Sequence, residues 1–114
     1  MKRYILNEYG EPKACEDLMQ WAEWYETADR RVALDRVEDF TISTVFLALD
    51  YSFMGAARPI VWETMVFKGG ESMFFDRCGG SSEQALAMHE DMKAKMQTEA
   101  YNLRNACAKL THNL

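Results

Sequence analysis

The chain has 114 residues, of which 48% are hydrophobic and 27% charged, proportions typical of a globular domain rather than a disordered segment. Its 18 acidic and 13 basic residues give a net charge of −5, which disfavours nonspecific binding to nucleic-acid phosphates. The three cysteines form no CxxC motif, and no window reaches the roughly 18 apolar residues of a membrane span. These properties predict one domain over residues 1–114, in a reducing cytoplasm.

A short strand and a helix are the first predicted elements. Residues 2–6 (KRYIL) are rich in β-forming side chains and end at a turn marked by Gly10 and Pro12. From Asp17 the apolar residues take helical spacing, and the helix is expected to end near Ala28. The predicted buried face of this helix contains Leu18, Trp21, Ala22 and Tyr25, with Trp24 at its edge.

The middle of the chain predicts an antiparallel meander of three to four strands, because β-rich runs follow one another with short connections. The first run has a turn at either Asp35-Arg36 or Glu38-Asp39, and Gly69-Gly70 is typical of a hairpin. The second run is apolar on both faces near its middle, which favours a central strand. The predicted strands cover residues 31–40, 41–53, 60–67 and 73–77, with a loop over 54–59.

A long amphipathic helix is predicted to close the chain. It begins at Ser81, which forms a capping-box pattern with Gln84. At 1.5 Å per residue a helix to Ala108 is about 40 Å long, whereas a domain of this size has a radius of gyration of about 13 Å. Residues from about 100 to 114 should therefore overhang the sheet or fray. The predicted fold class is α+β, with this helix packed on one face of the meander.

Two carboxylates within apolar strands are the candidate catalytic residues. Asp50 and Glu63 interrupt apolar runs, and carboxylates are rarely buried without a partner. If their strands pair through the 54–59 loop, the two side chains come nearly opposite each other, with Arg58 or Arg77 as the cation. Such a pair can raise one pKa for acid–base chemistry. A structural salt bridge is the competing interpretation.

Two tryptophans are the candidate binding residues. Trp24 and Trp62 are predicted as exposed anchors, since tryptophan is enriched at interface hot spots. His89 lacks HExxH spacing and is interpreted as a surface histidine. Gly79 to Ser82 leads into a helix N-terminus that can attract anions, although a capped turn explains it equally well. No metal or cofactor is predicted.

Three segments have distinctive sequences: residues 21–30 (WAEWYETADR), 43–50 (STVFLALD) and 63–67 (ETMVF). They resemble a family of small uncharacterised proteins of tailed bacteriophages and bacterial prophages. The resemblance extends to Arg77-Cys78 and the helix around His89, and covers roughly residues 14–92. It implies a phage-encoded protein made in the host bacterial cytoplasm, and it implies no activity, cofactor or catalytic residue.

Three functional hypotheses follow. The leading one is a small phage accessory protein that binds a host factor or a defence complex, or that self-associates through its last helix. The alternative is a small enzyme that uses Asp50 and Glu63 with an arginine. The second alternative is nucleic-acid binding, for which the last helix offers the only basic face: Lys93, Lys95, Arg104 and Lys109.

Overall fold

The fold is α+β, as the sequence predicts, with a two-stranded hairpin, a four-stranded antiparallel sheet and two helices. The computed structural model describes residues 1–53 and 58–112, with side chains described through residue 110. The elements are β1 (Tyr4–Leu6), β2 (Pro12–Ala14), α1 (Leu18–Thr27), β3 (Arg31–Val37), β4 (Phe40–Phe46), β5 (Trp62–Lys68), β6 (Glu71–Cys78) and α2 (Ser82–His112).

The four-stranded sheet is a meander in the order β3-β4-β5-β6, with every neighbouring pair antiparallel. The β3–β4 turn lies at Glu38-Asp39, where Glu38 has a φ of 51°, so the alternative turn at Asp35-Arg36 is wrong. Gly69 and Gly70 make the β5–β6 turn with φ of 60° and 82°, a backbone region that glycine adopts without strain.

β4 ends at Phe46, whereas the predicted strand continued to residue 53. Leu47 still donates to the carbonyl of Val61 at 2.7 Å. Beyond it the chain leaves the ladder, because Ala48 takes a φ of 64° and Leu49 forms an isolated bridge to Arg3. The amide of Tyr4 also donates to the carbonyl of Ala48, at 2.9 Å. The residues that follow β4 therefore form backbone hydrogen bonds with the N-terminal hairpin. Part of the predicted 54–59 loop, residues 54–57, lies outside the described residues.

The N-terminal hairpin contains the predicted first strand and a second strand, β2, that was not predicted. The two strands are three residues each, which is too short for periodicity to reveal β2. The side chain of Asn7 stabilises their turn by accepting from the amides of Tyr9 and Glu11, both at 2.9 Å. This use of asparagine is common in turns.

α1 begins where predicted because Asp17 caps it, accepting from the amides of Met19 and Gln20. Its packing differs from the prediction, since Leu18 is 56% exposed. The two indole rings instead orient the helix. Trp21 donates from Nε1 to the carbonyls of Tyr4 and Ala48, and Trp24 packs edge-on against Phe46 with 5.7 Å between ring centroids.

α2 packs on one face of the sheet, and α1 reaches the end of the same face through the contact of Trp24 with Phe46. Alternation along β4 and β5 turns every second side chain toward them, and these positions are buried. One core cluster, under the C-terminal part of α2, contains Phe40, Ile42, Val66, Met92, Met96 and Ala100. The other, nearer α1, contains Phe46, Ala48, Val61, Trp62 and Ala85.

α2 is 31 residues long and overhangs the sheet, as predicted. The Gln84 half of the capping box forms, with Oε1 accepting from the amide of Ser81 at 2.5 Å. Among the side chains that the structure describes, Ala100 is the last buried one, and those from 101 to 110 are exposed. Arg104, in this exposed part, forms an ion pair with Glu38 beside the β3–β4 turn. This extension gives the molecule its 63 Å long axis. Within the described ranges, no helix has both the length and the apolar character needed to span a bilayer.

Ending the chain after Ala100 is expected to change the free energy of unfolding by less than about 1 kcal/mol, since exposed side chains contribute little. Met96→Ala, the control, is expected to cost about 2–5 kcal/mol because it empties part of the core. Urea denaturation followed by tryptophan fluorescence measures both. A truncation that costs as much as Met96→Ala would contradict the assignment of residues 101–110 to an overhang.

Candidate functional site

A buried polar network lies between α2 and the sheet. Thr44, Thr64 and His89 are all 0% exposed. Thr44 Oγ1 lies 2.6 Å from Thr64 Oγ1 and 2.7 Å from His89 Nδ1. On the other side of the ring, His89 Nε2 lies 2.8 Å from Asp35 Oδ2, and Lys93 Nζ lies 3.6 Å from Asp35 Oδ1. One helix and three strands therefore meet through hydrogen bonds.

With a neutral imidazole, every polar group of the network has a partner. The Thr64 hydroxyl then donates to Thr44, the Thr44 hydroxyl donates to Nδ1 of His89, and Nε2–H donates to Asp35. The hydrogen bond from His89 holds the pKa of Asp35 below its ordinary value, and Lys93 lowers it further, although burial opposes both. Because each buried donor and acceptor has a hydrogen-bond partner, the network avoids the free-energy cost of burying an unpaired polar group.

The order carboxylate–imidazole–hydroxyl is also that of a hydrolytic triad. Here, however, Thr44 is wholly enclosed beneath α2, so a substrate cannot reach its Oγ1. Asp35, His89 and Glu90 also have ligand atoms within 4.8 Å of one another, but Asp35 already binds both His89 and Lys93. The geometry supports a structural role, which is to fix α2 on the sheet.

The prediction that His89 is a surface histidine is wrong. Ala85, His89, Met92 and Met96 follow helical spacing and are all buried, so the histidine belongs to the core stripe of α2. Position on that stripe was the signal in the sequence. Its partners could not be found in this way, because Asp35 is 54 residues away along the chain.

The prediction that Asp50 and Glu63 lie opposite each other is wrong. Pairing of β4 with β5 places Val45 opposite Glu63, because β4 ends before Asp50. Glu63 pairs instead with Arg77 on β6, at 2.8 Å from Nε to Oε2. Arg58 lines a separate cleft of about 530 Å³ beside Tyr9 and the start of α2.

Asp50 has a local structural role. Its Oδ1 accepts from the backbone amides of Ser52, at 2.8 Å, and Ile60, at 2.9 Å. Burial raises the pKa of Asp50, but these hydrogen bonds outweigh it and leave the pKa below its ordinary value. Burial, aided by the charge of Asp76, raises the pKa of the Cys78 thiol, which disfavours the nucleophilic thiolate.

The prediction of Trp62 as an exposed anchor is wrong. Trp62 is 0% exposed, and its Nε1 donates to the carbonyl of Gly80 at 2.8 Å. It occupies the core because alternation along β5 turns position 62 toward the helices. Trp24 is half-buried against Phe46, and its role in binding stays a prediction.

The sheet face opposite the helices, which we call the open face, has exposed apolar side chains. Strand register defines three rows across it. Its central row contains Leu34, 50% exposed, the half-buried Met65, and Phe75, 60% exposed. The rows are Arg31-Val45-Glu63-Arg77, Leu34-Ser43-Met65-Phe75 and Arg36-Thr41-Phe67-Ser72.

The charged residues of the sheet are divided unequally between its two faces. The open face has three arginines and one carboxylate, Glu63, although the chain as a whole has a net charge of −5. The carboxylates of the edge strands fall on the other face, since Asp35, Glu71 and Asp76 pair with Ile42, Lys68 and Thr64. Arg77 lies between two aromatic rings, 4.6 Å from the centroid of Tyr51 and 4.8 Å from that of Phe75.

No protein-family model, curated protein or solved structure matches the chain. The resemblance to phage proteins therefore stays a prediction.

Thr44→Val is expected to lower the free energy of unfolding by about 1–3 kcal/mol, because it leaves His89 Nδ1 buried without a partner. The matched control is Thr41→Val, on the same strand but on the open face, which should change stability by less than about 0.5 kcal/mol. Urea denaturation of both variants measures the difference. Equal effects would show that the network contributes nothing beyond packing.

The network also predicts a dependence of stability on pH. Because the pKa of Asp35 is lower in the folded state than its ordinary 3.8, its stabilising contribution is complete above that value. The contribution is then lost as the pH falls through the folded-state pKa. Asp35→Asn should flatten this acid loss in urea denaturation series, whereas Glu90→Gln, beside His89 on the exposed side, should retain it. If the free energy of unfolding of Asp35→Asn falls with acid as steeply as that of the wild-type chain, the prediction is contradicted.

Proposed function

We propose that the chain is a small phage-encoded accessory protein that acts by binding a protein, and that the open face is its docking surface. The observation that carries this proposal is the uncovered central row of Leu34, Met65 and Phe75. Exposed apolar side chains grouped on one face in this way typically mark an interaction site. The resemblance to phage proteins makes a host factor or a defence complex the expected target.

The open face is better suited to a protein than to nucleic acid. Proteins that bind single-stranded RNA on a sheet stack bases on exposed aromatic rings. On the two central strands, β4 and β5, the only aromatic side chain of the open face is Phe67, which is half-buried. Arg77, one of the three arginines of this face, is already paired with Glu63.

The enzyme hypothesis receives less support. Glu63 is occupied by Arg77, and Asp50 is occupied by two backbone amides. The buried network has the groups of a catalytic relay but no access for a substrate. Catalysis would require these groups to give up partners that they hold in the folded chain.

Leu34→Glu combined with Phe75→Glu is expected to reduce capture of a partner from host lysate at least about tenfold, because it places charge in the centre of the docking surface. The control is Leu86→Glu, which changes a leucine of α2 that is 44% exposed and should leave capture unchanged. Quantitative mass spectrometry of the bound fractions measures the result, and circular dichroism checks the fold of each variant. Lysate that yields no enriched partner for the wild-type chain, with a monomeric mass by light scattering, would overturn the proposal.

A further inference from the structure

The charge of the open face specifies the chemistry of what covers it. Among the edge-strand residues, the alternation described above turns Arg31, Arg36 and Arg77 to the open face and the carboxylates to the helix face. Arg77 is neutralised by Glu63 at 2.8 Å. Arg31 and Arg36 are both exposed and lie beside the apolar row. Arg36 donates from Nε to the carbonyl of Glu38 at 3.1 Å, a bond that leaves its positive charge unneutralised and available to a partner.

A second copy of this chain is a poor occupant. Two open faces in contact would enclose six arginines and only two carboxylates, the two copies of Glu63, each already paired with Arg77. Like charges placed together at an interface cost several kcal/mol. The occupant that satisfies both the apolar row and the arginines has apolar and acidic side chains together.

Addition of a strand at the sheet edges is disfavoured as well. The pairing of β3 shifts register between Arg31 and Ala33, and the pairing of β6 shifts opposite Val66 and Phe67. Such irregularities, together with the charged residues of both strands, protect edges from further pairing. The partner is therefore expected to lie across the open face and not beside it.

An α-helix has the right size for this position. Four strands separated by about 4.8 Å span about 14 Å between the outer two, and a helix with its side chains is about 10–12 Å wide. One helix that lies along the strands thus covers Ser43 and Met65 on the two central strands, while its flanks reach Leu34 and Phe75 on the outer strands. Covering an apolar sheet face with a helix is a standard form of layer packing.

We propose that the open face binds an acidic amphipathic helix of a partner protein, an inference that rests on the protein-binding function proposed above. Leu34, Met65 and Phe75 contact the apolar stripe of that helix. Arg31 and Arg36 contact carboxylates along one flank of the helix. Arg77, which is fixed by its contacts with Glu63 and Tyr51, lies at the opposite flank.

The direct test is an NMR titration of the ¹⁵N-labelled full chain with three probes. The first is a peptide of about 18 residues, long enough to form a helix, with a leucine stripe flanked by glutamates. The second has lysine in place of every glutamate, and the third is oligothymidylate. The expected result is saturable shifts of open-face amides with the acidic peptide alone, weakened by salt.

Arg31→Glu combined with Arg36→Glu is expected to weaken binding of the acidic peptide at least about tenfold. The matched control is Lys13→Glu combined with Lys95→Glu, which changes the net charge equally at two exposed positions away from the open face. Equal binding of the basic peptide, or no binding of the acidic peptide, would overturn the inference. Open-face shifts with oligothymidylate would overturn it in favour of nucleic acid.

The same variants separate this inference from the proposed function. If Leu34→Glu with Phe75→Glu abolishes capture from lysate while Arg31→Glu with Arg36→Glu does not, the partner is apolar but not acidic. The acidic-helix inference then fails and the docking surface stands. If neither pair of substitutions affects capture, the chain binds a protein elsewhere; the open face is then not the docking surface, and the acidic-helix inference fails with it.

Discussion

Packing of α2 on one face of the sheet is the interaction on which the rest of this fold depends. Met92, Met96 and Ala100 cover the middle of β4 and β5, while α1 and the N-terminal hairpin close the end of the same face around Phe46 and Trp62. Burial of that apolar surface supplies most of the driving force for folding. His89 adds a directional contact to it, because its hydrogen bonds form only when α2 has one position along the sheet.

Covering a single face has two consequences. The other face is covered by none of the described elements, although its central row includes Leu34, Met65 and Phe75. The alternation of side chains also divides the charges of the edge strands between the two faces. Asp35 and Asp76 lie on the helix side, where Asp35 binds His89, while Arg31 and Arg36 lie on the open side. A chain with a net charge of −5 thereby presents a local surface with more arginines than carboxylates, which neither composition nor sequence order displays.

The buried network shows how little a set of residue types says about chemistry. Asp35, His89 and Thr44 have the order and the hydrogen-bond distances of a hydrolytic relay. Their enclosure beneath α2 removes the access that a reaction requires, and the same hydrogen bonds then serve to hold a helix on a sheet. Buried polar groups that are fully paired are known to favour one packing arrangement over its alternatives in some proteins; this is the role that the geometry supports here.

The sequence by itself determined the local elements: both helices, the antiparallel meander, the Gly69-Gly70 turn and the overhang beyond Ala100. These follow from periodicity, capping and turn chemistry, which act over a few residues and are therefore readable along the chain. Tertiary structure alone decided that Trp62 and His89 are buried, that Glu63 faces Arg77 and not Asp50, and that one sheet face stays open. Those outcomes depend on where β4 leaves the ladder and on which face the helices cover, and both are set by contacts between residues far apart in sequence.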